Sequence, residues 1–140
     1  MATQPQKSPD LGFEIQAAAP VLRMFDEAEA KAFYVDYLGF DVEWESRFSP
    51  TAPLYMQVSL GDAVLHLNGH ASPHDPIVQV NIQVLGLQNY CDSLNSKGSQ
   101  YPDTCLVDPR YVGRNTDMNL TDPFGNELVF CCQRTEGEKE

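Results

Sequence analysis

The chain has 140 residues and a mass of 15.6 kDa, room for one domain or for two half-domains sharing a core, which excludes a multidomain enzyme. An apolar fraction of 42% with 21% charged residues is that of a globular chain. Of the net charge of −11, residues 1–19 carry −1 and residues 136–140 carry −2, so the acidity belongs to the folded body. Such a field repels phosphate backbones and anionic headgroups, which argues against nucleic acid and membrane as partners, and it attracts cationic small molecules; plain solubility is the competing reason for it. No run approaches the ~20 apolar residues of a membrane span, and the N-terminus lacks the basic-then-apolar order of a signal peptide. A cytoplasmic protein is expected. The cysteines Cys91, Cys105, Cys131 and Cys132 fit no CxxC or CxxH metal spacing and are expected as buried thiols in a reducing compartment.

Residues 1–19 show no sustained period and read as a flexible N-terminal arm, and residues 134–140 as a disordered acidic tail. Val21 to Phe25 is a short apolar run broken by Arg23. Asp26 then stands as a helix N-cap with Glu29 at capping-box spacing. The predicted helix runs to Leu38: Ala30, Phe33, Tyr34, Tyr37 and Leu38 fall on one face, and Gly39 sits where a left-handed stop is wanted. Three strands are predicted over Phe40–Phe48, Leu54–Leu60 and Ala63–Leu67. In the second, Leu54, Met56, Val58 and Leu60 alternate with Tyr55, Gln57 and Ser59. Val78, Val80, Ile82 and Val84 alternate with Gln79, Asn81 and Gln83 in a further half-buried strand. Leu87, Tyr90, Cys91 and Leu94 repeat the helical spacing before Lys97 and Gly98.

The same order of elements thus occurs twice, in residues 20–68 and 78–132, with the two glycine stops 59 residues apart. Neither half could bury its sheet face well alone. The expected class is α+β: paired βαβββ modules forming a curved mixed sheet, helices on the outer face and a trough within, one domain over residues 20–133.

Three segments carry a family resemblance: Leu22-Arg23-Met24-Phe25-Asp26, Phe33-Tyr34-Val35-Asp36-Tyr37-Leu38-Gly39-Phe40, and Asp122-Pro123-Phe124-Gly125-Asn126. The chain resembles the vicinal oxygen chelate superfamily, which includes glyoxalase I, extradiol dioxygenases and bleomycin-resistance proteins. The resemblance implies four metal-ligand positions facing the trough, which align with Ala19, His66, Gln79 and Val129. Two of these carry no donor atom, which disfavours metal-dependent catalysis. Size, acidity and the absent ligand set are similar to the bleomycin-resistance branch. That likeness implies a metal-free homodimer without a cofactor, leaning away from an enzyme, which sequesters a cationic, bleomycin-type glycopeptide drug in a dimer cleft. The alternative is a metal-dependent lyase, isomerase or dioxygenase using His66, Gln79 and Glu127.

Trp44, the only tryptophan, lies beside Glu43 and Glu45. An aromatic face flanked by carboxylates suits a planar cation, while packing against a neighbouring subunit is its competing role. Phe48, Tyr55 and Tyr111 are weaker versions of the same argument. Alternation turns Tyr55, Gln57 and Ser59 toward the trough or solvent. His66 is expected to line the trough, as packing residue or ligand contact, and Gln79, Asn81 and Gln83 form an amide ladder for a polar ligand or bound water. Arg114 and Asp117 lie in a polar loop that could close over a ligand. No Ser-His-Asp order, P-loop or GxGxxG supports nucleophilic or nucleotide chemistry. The Asn119-Leu120-Thr121 sequon falls in a predicted strand and is discounted.

Overall fold

A computed structural model of the chain describes residues 12–97 and 116–132. In chain order it contains β1 (Val21–Arg23), α1 (Glu27–Lys31) continued by a π-helical segment (Ala32–Tyr37), β2 (Asp41–Ser46), β3 (Tyr55–Leu60), β4 (Ala63–Asn68), β5 (Gln79–Gln83), α2 (Leu87–Ser96), β6 (Thr116–Thr121) and β7 (Glu127–Cys132). The expected strands and second helix are present, shortened or lengthened at their ends by one or two residues. Residues 1–11 of the predicted arm, the whole of the predicted tail, and the predicted loop holding Tyr111 and Arg114 lie outside the described residues. Among the described residues no helix is long and apolar enough to cross a membrane.

The strands form a sheet ordered β1-β4-β3-β2 and a sheet ordered β5-β7-β6. Each is mixed: β1 runs parallel to β4 and β5 parallel to β7, while the other pairs are antiparallel. In each half the first strand therefore crosses over a helix to lie beside the last one, as the repeat anticipated from the sequence requires, with three strands after the helix in the first half and two in the second among the described residues. Alternation gives each sheet an apolar side. Leu22, Met56, Val58, Leu65 and Leu67 of the first sheet and Met118, Leu120, Leu128 and Phe130 of the second join Ala30, Phe33, Tyr34, Leu87, Cys91 and Leu94 of the helices in a single buried cluster.

The first helix begins as expected, with Asp26 Oδ1 accepting from Glu29 N at 2.9 Å. Its second half departs from the prediction of a regular α-helix. The turn widens to i→i+5 bonding, as in Leu38 N to Phe33 O at 2.9 Å, where four aromatic rings crowd edge to face: Phe33 against Tyr34 at 5.1 Å and Tyr34 against Phe40 at 5.9 Å, with Tyr37 tilted at 5.8 Å from Phe33. Periodicity alone cannot distinguish this from an α-helix because the same residues stay buried. Gly39, at φ +94°, ends the segment in the left-handed region that a side chain rarely adopts.

The halves are tied by polar bonds as well as by the core. Asp122, at the start of the turn between β6 and β7, is buried and accepts four hydrogen bonds: Phe124 N and Asn126 N on Oδ1, each at 2.8 Å, and Tyr34 Oη at 2.6 Å and Asn126 Nδ2 at 2.8 Å on Oδ2. Asn126 Nδ2 also donates to Arg23 O at 2.9 Å, and Arg23 Nε donates to Phe124 O at 2.7 Å. Gly125, at φ +91°, lets the turn pass close by, since a Cβ there would sit 2.9 Å from the Arg23 guanidinium. At the other end, Lys97 Nζ donates to Asp36 O at 2.9 Å and Tyr37 O at 2.6 Å, and Tyr90 Oη to Leu38 O at 2.7 Å. These satisfy carbonyls that the end of the first helix leaves without helical partners.

The expectation of buried thiols is corrected at Cys91, and Cys131 and Cys132 are only half-buried. Cys91, buried on α2, is disulfide-bonded, with a partner outside the described residues, whereas Cys131 and Cys132 are free thiols. Pairing depends on which thiols meet in space, which sequence spacing does not reveal. The redox argument for a cytoplasmic location lapses with it. Burial first, and then Asp117, push the Cys131 thiol above its ordinary pKa, so it is a poor nucleophile.

Burial and the neighbouring Asp122 carboxylate hold the Tyr34 phenol far above its ordinary pKa, so it remains a donor throughout the neutral range. Tyr34→Phe removes a donor to a buried acceptor and is expected to cost about 1.5–3 kcal/mol in urea unfolding. Unchanged stability would show that the Tyr34–Asp122 bond does not hold the halves together.

Candidate functional site

The first sheet has one face on the core and the other open. On β3, Met56 and Val58 point inward, which sends Tyr55, Gln57 and Ser59 to the open face; on β4, Leu65 and Leu67 do the same for His66. The antiparallel register sets His66 directly opposite Gln57. The adjoining strand β2 carries a β-bulge. Val42 pairs with Val58 and Trp44 with Gln57, leaving Glu43 as the extra residue. Strict alternation would put Glu43 and Trp44 on opposite faces. The bulge puts both on the open one, while Glu45 goes to the other side and pairs with Lys31 at 2.7 Å.

The side chains on this face form one hydrogen-bonded chain. Glu43 accepts from Gln57 Nε2 at 2.8 Å on Oε1 and from Ser59 Oγ at 2.6 Å on Oε2. Because the Gln57 amide nitrogen is directed at Glu43, its oxygen faces His66 Nε2 at 2.9 Å, which must then be the N–H donor. His66 Nδ1 shares a hydrogen bond with the Tyr55 hydroxyl at 2.8 Å. Both ring nitrogens therefore have partners. Trp44 lies parallel to Tyr55 at 6.0 Å and 11° and meets the edge of His66 at 5.4 Å, yet remains 41% exposed. The two donors from Ser59 and Gln57, in that order of effect, hold the exposed Glu43 carboxyl below its ordinary pKa.

Five of the sequence-predicted residues thus belong to one sheet region: Trp44, Tyr55, Gln57 and His66 in contact, and Phe48 beyond the end of β2. Phe48 is 92% exposed and meets His70 edge-on at 5.6 Å. A cleft of about 360 Å³ there is lined by Ser46, Phe48, Tyr55, Asn68 and His70. Gln79 and Asn81 are exposed on the second sheet, paired in register with Glu127 and Val129. Gln79 Nε2 donates to Glu127 Oε1 at 3.3 Å. A larger cavity of about 630 Å³ opens between the halves, with Asn81 and Gln83 beside Phe40, Leu60, Tyr90 and Phe130. Tyr111 and Arg114 lie outside the described residues, and Asp117 is on β6, opposite Cys131, rather than in a loop. Sequence reasoning noted Glu43 only as a neighbour of Trp44 and missed Asn68 and His70 altogether. No local signal marks the bulge, because a Val-Glu-Trp-Glu run reads as ordinary alternation.

The residues do not fit the superfamily's metal. Ala19 and Val129 supply no donor, and both nitrogens of His66 are engaged by Tyr55 and Gln57. Among the described residues no three His, Cys, Asp or Glu side chains converge as a metal site.

The sequence profile of a glyoxalase superfamily protein matches residues 3–138, and the chain belongs to that superfamily. A search of curated proteins finds no match. Among solved structures, a bleomycin-binding protein complexed with bleomycin is 22% identical with a TM-score of 0.63, the match covering 86% of this chain and 100% of that one. A bleomycin resistance determinant encoded on the transposon Tn5 is 20% identical at a TM-score of 0.63, over 86% of this chain and 100% of its own. A glyoxalase family protein from Bacillus anthracis is 17% identical at a TM-score of 0.61, over 89% and 100%. At these identities the likeness establishes the fold, paired βαβββ modules.

The site makes a prediction about charge. Removing one donor, in Ser59→Ala, is expected to move the Glu43 carboxyl back up toward the ordinary value of about 4.3. In the parent protein the carboxylate should persist as pH falls through that range and be lost only below it. The titration of the Glu43 carboxyl carbon by NMR reads this directly, and identical curves for the two proteins would dismiss Ser59 as the cause.

Proposed function

We propose that this protein binds a cationic, partly aromatic small molecule without changing it chemically, a sequestration of the bleomycin-resistance type in a cleft between two copies of the chain. The observation that carries the reading is the β2 bulge, which turns the Glu43 carboxylate and the Trp44 indole toward the same open face. A carboxylate beside an exposed aromatic face attracts a flat cation through charge and cation–π interaction, and the net charge of −11 adds a long-range field of the right sign. The bleomycin complex of a relative with this fold supports the class of ligand. In this reading Tyr55, Gln57 and His66 fix the platform, and Phe48 extends it at one end. Gln79 and Asn81, exposed on the second sheet, would supply a polar wall in the dimer, with Tyr111 and Arg114 as further contacts. No metal or cofactor enters the scheme.

Trp44 is the only tryptophan, so its fluorescence reports on the site. Titration with metal-free bleomycin is expected to quench or shift it, with affinity falling as salt rises. Dialysis against EDTA should leave the titration unchanged; its abolition would favour the metal-dependent alternative. Followed by calorimetry, Trp44→Ala is expected to weaken binding about 3- to 30-fold, the loss of roughly 0.5–2 kcal/mol, in a protein whose circular dichroism is unaltered. Unchanged affinity would remove Trp44 from the site. Sedimentation is expected to show a homodimer.

A further inference from the structure

We propose that the ligand group recognised at Glu43 and Trp44 is a flat N–H-donating cation, an amidinium or guanidinium carried on an aromatic ring, and not a quaternary ammonium. The inference rests on the binding reading above and narrows its ligand class.

The carboxylate sets the first condition. Gln57 Nε2 holds Oε1 and Ser59 Oγ holds Oε2, at 2.8 and 2.6 Å, so the plane of the carboxylate is set by the protein. Each oxygen has used one acceptor position and keeps another, and the residue is exposed on the open face. A fixed carboxylate with one free position on each oxygen matches the parallel N–H pair of an amidinium or guanidinium. A primary ammonium is a point charge and cannot span both oxygens in that planar manner. A quaternary ammonium brings no donor at all.

The aromatic groups set the second. A quaternary ammonium is favoured by a cage of several ring faces. No such cage is offered by Trp44 and Tyr55, because these rings lie parallel, with centroids 6.0 Å apart and an 11° angle, and do not converge on a common point, and His66 meets both edge-on at 5.4 and 5.3 Å. The indole of Trp44, 41% exposed, offers a stacking surface for a flat ring. Since the bulge makes Glu43 and Trp44 consecutive residues of one face, an aryl ring stacked on Trp44 carries its own amidinium toward Glu43. Gln57 links the two parts, as it holds both Glu43 and the His66 ring on which Trp44 rests.

Three probes of similar size test this on the full chain by Trp44 fluorescence and by NMR: benzamidine, phenyltrimethylammonium and the neutral benzamide. Benzamidine is expected to bind at least tenfold more tightly than either of the others. In Glu43→Gln, whose substituted side chain is exposed and whose fold is checked by circular dichroism, that advantage should disappear. Equal affinity for benzamidine and phenyltrimethylammonium, or an undiminished preference in Glu43→Gln, overturns the amidinium inference while leaving a cation-binding site. Absence of any response at Trp44 to both cations overturns the inference together with the site reading beneath it.

Discussion

The buried Asp122 carboxylate is the constraint on which the two-module architecture turns. It lies at the start of the β6–β7 turn, accepts two backbone N–H groups of that turn, and takes its remaining bonds from Asn126 and from Tyr34 of the other half. A buried acceptor of this kind is costly unless every donor is in place. The local order of the turn and the docking of the first helix therefore depend on one another. Arg23 completes the arrangement, since its backbone oxygen accepts from Asn126 and its guanidinium donates to Phe124 O. The chain's two short β-modules, each too small for a good core of its own, are thereby locked to a shared one.

This division of labour frees the other side of the first sheet. Core packing is satisfied on the helix side by Leu22, Met56, Val58, Leu65 and Leu67, so the open face is released from the need to be apolar. It carries instead a polar and aromatic chain running from Ser59 and Glu43 through Gln57 and His66 to Tyr55 and Trp44. Every member is held by a neighbour on an adjacent strand, which limits the rotamers available to each. A face ordered before a ligand arrives loses less side-chain entropy on binding than a loose one. The same engagement explains why His66 is unsuited to metal: both of its nitrogens already have work within the sheet.

The bulge in β2 shows how one added residue changes chemistry. A regular strand would place Glu43 and Trp44 on opposite faces, with Glu43 and Glu45 sharing one of them. With the extra residue, Glu45 remains on its side with Lys31, and Glu43 joins the indole. The anionic and aromatic elements of the candidate site come together through backbone geometry, with no change in residue type.

The sequence by itself determined the repeated βαβββ order, the capped start of the first helix, the glycine stop at Gly39 and the parity of β3, β4 and β5, because these follow from local periodicity and from backbone preferences of single residues. It also determined that Tyr55, Gln57 and His66 would share a face. The tertiary structure decided the rest. The π-helical turn arises where rings from Phe33 to Phe40 crowd together, a packing effect that leaves the apolar pattern unchanged. The Cys91 disulfide depends on which thiols meet in space. The union of Glu43 with Trp44 depends on the register between β2 and β3, and register is a property of two strands pairing, which the sequence of either strand alone does not contain.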